Sequence, residues 1–140
     1  MAVKLFRLEG SIHILSGYED GSVSLWECEA GMASFRPVWT SKEHREPILD
    51  LAIDDEHLSA ISTSADDQII KYSLSSGDIV KKIKTKKSSL TAVDIRQDNK
   101  IMATAGFDHR SINFGKDLAY DNKNNVDCSC MNHISQHLLL

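Results

Sequence analysis

Thr63-Ser64-Ala65-Asp66-Asp67-Gln68-Ile69-Ile70-Lys71-Tyr72-Ser73 reads as a strand ending in small residues, a tight turn built on aspartate, and a second strand closing on an aromatic. The same wording stands at Ser16-Gly17-Tyr18-Glu19-Asp20-Gly21-Ser22-Val23-Ser24-Leu25-Trp26. It stands a third time at Thr104-Ala105-Gly106-Phe107-Asp108-His109-Arg110-Ser111-Ile112-Asn113-Phe114. Asp20, Asp67 and Asp108 follow one another at intervals of 47 and 41 residues. Those intervals are close to the period of about 40 to 45 residues at which four-stranded propeller blades repeat.

Outward from these hairpins, apolar positions recur with period two, and no stretch keeps a helical period over three turns. The fold class is therefore all-β, a partial propeller of three four-stranded antiparallel blades and the start of a fourth. The first blade covers about 1–40: Val3 to Leu8, Ile12 to Ser16, Val23 to Trp26, and a strand within Ala33 to Thr40. The second, about 48–84, runs Ile48 to Ile53, Leu58 to Ser62, Ile69 to Leu74 and Ile79 to Ile83. The third, about 90–122, starts at Leu90 to Ile95, continues through Ile101 to Thr104 and Ser111 to Phe114, and ends weakly near Leu118 to Tyr120. Val126 to Met131 then reads as the first strand of a fourth blade within 126–140. Within the third blade, Ile112 falls on the parity expected to face water.

The chain has 140 residues, fewer than the roughly 300 that seven such blades need, so it is expected to be a fragment, a truncated reading frame or part of a larger assembly. On its own it is expected to be poorly soluble or oligomeric, because the end blades leave apolar faces without neighbours. Twenty acidic and sixteen basic residues give a net charge of −4. That balance argues against direct nucleic-acid binding and against an anionic membrane surface. Three cysteines, Cys28, Cys128 and Cys130, make a poor disulfide framework and suit a reducing compartment. The N-terminus alternates charged and apolar residues where a signal peptide needs an apolar run, and nothing approaches 18 consecutive apolar residues.

The order of turn aspartate and third-strand aromatic resembles the WD-repeat (WD40) family. Trp26-Glu27 stands where that family has Trp-Asp; Ser73 replaces the Trp after Tyr72, and Phe114-Gly115 replaces it in the third unit. The resemblance implies a structural set of Asp20, Asp67, Asp108 and Trp26. It also implies a hydrogen bond from His44, in the loop before Ile48, to Asp67; Lys86 holds the matching position before Leu90. Within the family, the stretches Gly17 to Val23, Ser64 to Tyr72 and Thr104 to Arg110 resemble the C-terminal blades of the fungal ASTRA-associated protein 1 group. Membership would imply a nuclear, non-enzymatic scaffold, a subunit of the ASTRA complex linked to chromatin remodelling and PI3-kinase-like kinase maturation. The partners would be other protein subunits, with no cofactor and no small-molecule substrate. An unrelated WD-repeat adaptor in trafficking, RNA processing or ubiquitin transfer is the alternative.

Cys128-x-Cys130-x2-His133-x3-His137 has the ligand types of a tetrahedral zinc site and would suit a small metal-binding regulator. The competing reading makes both cysteines the buried face of a strand, since free cysteine behaves as a small hydrophobe. Lys81, Lys82, Lys84, Lys86 and Lys87 put five lysines in seven positions, a possible nuclear import signal. Lysine on an outer strand also discourages edge-to-edge pairing, and the two roles are compatible. The carboxylate pairs Glu19-Asp20, Asp54-Asp55 and Asp66-Asp67 fall in turns and read as turn formers rather than acid–base pairs. There is no nucleophile elbow and no glycine-rich phosphate loop. Phe35 and Trp39 are open to two readings, fourth-strand packing or a partner hot spot.

Overall fold

The computed structural model describes residues 1–28, 31, 33–85, 90–99, 101–106, 110–115 and 126–127. Among these residues the regular structure is all strand, without a helix. β1 (Ala2–Leu8), β2 (Ser11–Gly17), β3 (Ser22–Cys28) and β4 (Arg36–Lys42) form the first sheet in chain order. β5 (Ile48–Ile53), β6 (Ser59–Ser64), β7 (Gln68–Ser73) and β8 (Ile79–Lys84) form the second in the same way. β9 (Leu90–Ile95), β10 (Ile101–Gly106), β11 (Arg110–Gly115) and β12 (Val126–Asp127) form the third. All pairings are antiparallel, so each sheet is a meander, and the first strands β1, β5 and β9 neighbour one another.

The registers superpose the three units residue by residue. Ser16 pairs with Ser24, Ser62 with Ile70, and Thr104 with Ile112. Two positions back, Ile14 pairs with Trp26, Ala60 with Tyr72, and Met102 with Phe114. This corrects the expectation for Ile112. It stands in register with Ile70, opposite Thr104, and is not out of phase. It also corrects the reading of Val126 as opening a fourth blade: Val126 pairs with Ser111 and Asp127 with Arg110, so this segment is the outer strand of the third sheet. The outer edge of β11 needs backbone partners, and Val126 and Asp127 supply them at Ser111 and Arg110.

Stacking of the sheets explains the composition of their middle strands. Every residue of β6 is buried, because one face of the second sheet packs on the first sheet and the other on the third. Leu15, Val23, Leu25, Ile48, Leu51, Ile70, Tyr72 and Leu74 form the first interlayer core; Ala52, Ile61, Ile69, Leu90, Val93 and Met102 form the second. Small residues allow this double burial, but their hydroxyls then need internal partners. Ser64 Oγ donates to the Glu46 carbonyl at 2.9 Å. Ser62 meets His44, described below.

Side chains also clasp one sheet to the next. Asp50 accepts from Leu51 N in its own strand and from Val93 N in β9, both at 2.9 Å. Asp55 N donates to Asn99 Oδ1 at 3.0 Å, joining a turn of the second sheet to one of the third. The ring of Phe6 stacks against both His13 and His57, at centroid distances of 5.3 and 5.1 Å. Trp39 on β4 donates from Nε1 to the Leu74 carbonyl at 2.8 Å and stacks on Tyr72, which makes it an inter-sheet packing residue. Phe35, by contrast, is 43% exposed.

Candidate functional site

The best-built polar cluster lies where the second sheet's β6–β7 turn meets the loop before β5. The carboxylate of Asp66 collects four partners. Gln68 N donates to Oδ1 at 3.0 Å, Arg45 N and Gln68 Nε2 to Oδ2 at 3.0 and 3.1 Å, and His44 Nδ1 lies 3.0 and 3.1 Å from the two oxygens. On its other side, His44 Nε2 lies 2.7 Å from Ser62 Oγ, which in turn bonds Tyr72 Oη at 3.3 Å. One chain of contacts thus runs from turn to loop to middle strand to third-strand aromatic.

The electrostatics fix the proton positions. Burial holds the His44 imidazole below its usual pKa, outweighing the opposing pull of Asp66, so the ring is neutral at pH 7. A neutral ring facing a carboxylate carries its proton on Nδ1, which leaves Nε2 to accept from Ser62. Burial by itself would raise Asp66, but the bonds from Arg45 N, His44 and Gln68 N overcome it and hold the carboxyl below its ordinary range. Burial pushes the Tyr72 phenol up to about 12, against a smaller opposing effect from Ser62, so it too is neutral. The cluster therefore holds one anion inside a ring of donors. Its ionisable groups are hydrogen-bonded to one another, to Ser62 or to backbone.

This geometry corrects the expected His44 to Asp67 bond, since the turn carboxylate of the second unit is Asp66. Asp67 adopts a left-handed backbone, φ 63°, and its Oδ1 has no hydrogen-bond partner among the described residues. An aspartate accepts from backbone two residues on, and Asp66 does so to Gln68 as Asp20 does to Ser22. What Asp67 contributes is its backbone carbonyl, which accepts from Thr85 N and Oγ1 at 2.8 and 3.0 Å.

The first sheet carries a variant of the cluster. Asp20 Oδ1 accepts from Ser22 N at 3.0 Å and Ser22 Oγ at 2.5 Å, bonds that hold its carboxyl below the ordinary range. Trp26 Nε1 donates to Ser16 Oγ at 3.1 Å, and Ser16 Oγ bonds Tyr18 Oη at 2.9 Å. Tyr18 thus bonds Ser16, the register equivalent of the Ser62 that His44 bonds in the second sheet. The loop at 43–47 is wedged between the two turns. Ile48 N donates to the Tyr18 carbonyl at 3.0 Å, Ala65 N to the Pro47 carbonyl at 3.1 Å, and a Cβ on Gly21 would fall 2.3 Å from the His44 carbonyl oxygen. Beside Trp26 an open depression of about 560 Å³ is lined by Met1, Tyr18, Asp20 and Ser24.

Asp108, Lys86, Lys87, Cys128, Cys130, His133 and His137 lie outside the described residues. Lys81, Lys82 and Lys84 lie on β8, the outer strand of the second sheet, and Lys82 Nζ pairs with Glu43 at 3.0 Å. Sequence reasoning missed Asp50. Its signal was an acid inside the apolar first strand Ile48-Leu49-Asp50-Leu51, where an unsupported charge would be costly.

Comparison with known proteins agrees with this anatomy. Guanine nucleotide-binding protein subunit beta-like protein 1 of Mus musculus is 36% identical over 116 residues, 79% of this chain and 34% of that protein. ASTRA-associated protein 1 of Penicillium rubens is 32% identical over 139 residues, 79% of this chain and 32% of that protein. These relatives support a WD-repeat, ASTRA-associated protein 1-like family for the chain. ASTRA-associated protein 1 of Schizosaccharomyces japonicus, 28% identical over 133 residues, covers 85% of this WD-repeat chain. The chain spans about a third of the length of these relatives. No protein-family model matches it. The four-stranded sheets are consistent with partial WD40 blades, and Asp66 and Asp20 each accept from the backbone of their own turn.

Proposed function

We propose that this WD-repeat chain is a non-enzymatic scaffold, and that it serves a nuclear ASTRA complex linked to chromatin remodelling and PI3-kinase-like kinase maturation. The observation that carries the scaffold reading is the Asp66 cluster. All of its titratable groups are spent on holding loops, with His44 and Asp66 satisfied by each other and by backbone. Loops fixed in this way present side chains to a partner with little ordering cost on binding. The complex is suggested by relatives named ASTRA-associated protein 1.

The test is co-purification of the tagged chain from nuclear extract, with the retained proteins identified by mass spectrometry. Recovery of ASTRA subunits together with a PI3-kinase-like kinase supports the proposal. Recovery of trafficking, RNA-processing or ubiquitin-transfer subunits in their place supports the alternative adaptor and overturns the ASTRA reading.

A further inference from the structure

The fourth strands of the three sheets differ in how their outer edges are guarded. β4 carries Pro37, which has no N–H to offer, and Arg36 on it is bonded to Glu27 at 2.6 Å. β12 comprises two residues among the described ones. β8 is six residues long, has no proline, and ends its sheet, with no strand on its outer edge among the described residues. A bulge at Val80 leaves that side chain 60% exposed, and beyond it Lys81 to Lys84 continue in regular pairing with Lys71 to Gln68. From Lys81 to Lys84 the guard on this edge is charge. Lysines repel an incoming basic or apolar strand, but the same charges attract an acidic one.

We propose that β8 is a docking edge for an extended acidic segment of a partner protein, which adds to the second sheet as a fifth strand. Its register is readable from the side chains. Lys82 and Lys84 share one face and Ile83 lies between them on the other, so the matching core is acidic–apolar–acidic. Lys82 already shows its preference, holding the Glu43 carboxylate at 3.0 Å across the sheet end. That intramolecular pair competes with the incoming acid. The proposal stands on this edge and needs no particular complex, so it can fail or hold independently of the ASTRA reading.

The experiment uses the full 140-residue chain and fluorescein-labelled peptides followed by anisotropy. The probes are an alternating Glu-Val nonapeptide, a Lys-Val counterpart, and a Glu-Val peptide of equal charge interrupted by two prolines. The Glu-Val peptide should bind at least tenfold more tightly than either of the others, and its binding should slow amide hydrogen exchange across residues 79–84. Lys82→Glu with Lys84→Glu should weaken it at least tenfold with unchanged circular dichroism, and Glu43→Gln should tighten it two- to fivefold. Equal binding of the proline-interrupted peptide would show attraction of a polyanion without strand addition. Preferential binding of a single-stranded RNA oligonucleotide would make the lysines a nucleic-acid patch. Either result, or no binding of the Glu-Val peptide at millimolar concentration, overturns the proposal.

Discussion

His44→Ala removes the side chain that joins a turn, a loop and a middle strand, and its cost can be built up from the contacts. The bond from Nδ1 to the Asp66 carboxylate is charge-assisted, a class worth about 1.5 to 3 kcal/mol. The bond to Ser62 is buried and neutral, worth about 1 kcal/mol, and its loss leaves a fully buried hydroxyl dependent on Tyr72. Asp66 keeps Arg45 N and Gln68, which limits the damage, so the expected loss is about 3 kcal/mol. For a chain of this size that lowers the melting temperature by about 10 °C. Urea titrations followed by tryptophan fluorescence at pH 7.5, 6.5 and 5.5 measure it. The folded imidazole titrates below its ordinary 6.5, so the unfolded chain takes up the proton first as pH falls. The stability contributed by neutral His44 is therefore whole above about pH 6.5 and declines as pH drops toward the folded value. The variant should lose this part of the acid dependence. A loss under 1 kcal/mol together with an unchanged pH slope would show that the cluster does not hold the loops, and the scaffold argument would lose its base.

Asp66→Ala should cost about 2 to 3 kcal/mol in the same titration, whereas Asp67→Gly should stay within about 1 kcal/mol because it relieves a positive φ and removes no side-chain bond. The reverse order would restore Asp67 as the turn carboxylate. Gly21→Ala should destabilise by at least about 2 kcal/mol, since φ is 83° and the new Cβ would meet the His44 backbone. An unchanged thermal midpoint would show that the loop at 43–47 is not wedged against that turn. Trp39→Phe keeps the ring over Tyr72 but leaves the Leu74 carbonyl without its donor, for an expected loss of about 1 to 2 kcal/mol by thermal denaturation. A neutral result would mean that Trp39 joins the sheets by packing alone.

The repeat was legible because its signals are local. Alternating apolar residues, turn chemistry and a recurring aromatic all lie within a dozen residues of Asp66, and they specify a hairpin wherever they occur. The sheet-to-sheet arrangement follows from the repeat, since a strand such as β6 with small residues on both faces needs a sheet on each side. The parts that were misread depend on register, which composition does not encode. Ile112 looked out of phase until its pairing with Thr104 was known, and Val126 looked like a first strand because nothing in its sequence names its neighbour. The two adjacent carboxylates of the second turn pose the same problem at the scale of one residue. Either could accept from the backbone, and the family pattern pointed to Asp67. A three-residue connection between Ser64 and Gln68 puts the residue two before the strand in reach of the Gln68 amide and forces the next into a left-handed backbone. By the same count, the connection between Gly106 and Arg110 also has three residues, with Asp108 two before the strand. Counting back from the third strand therefore aligns Asp108 with Asp66, and the interval becomes 42 residues in place of 41. A turn carboxylate in this chain is identified by its distance from the strand it precedes, and a search for further blades in longer relatives should count from there.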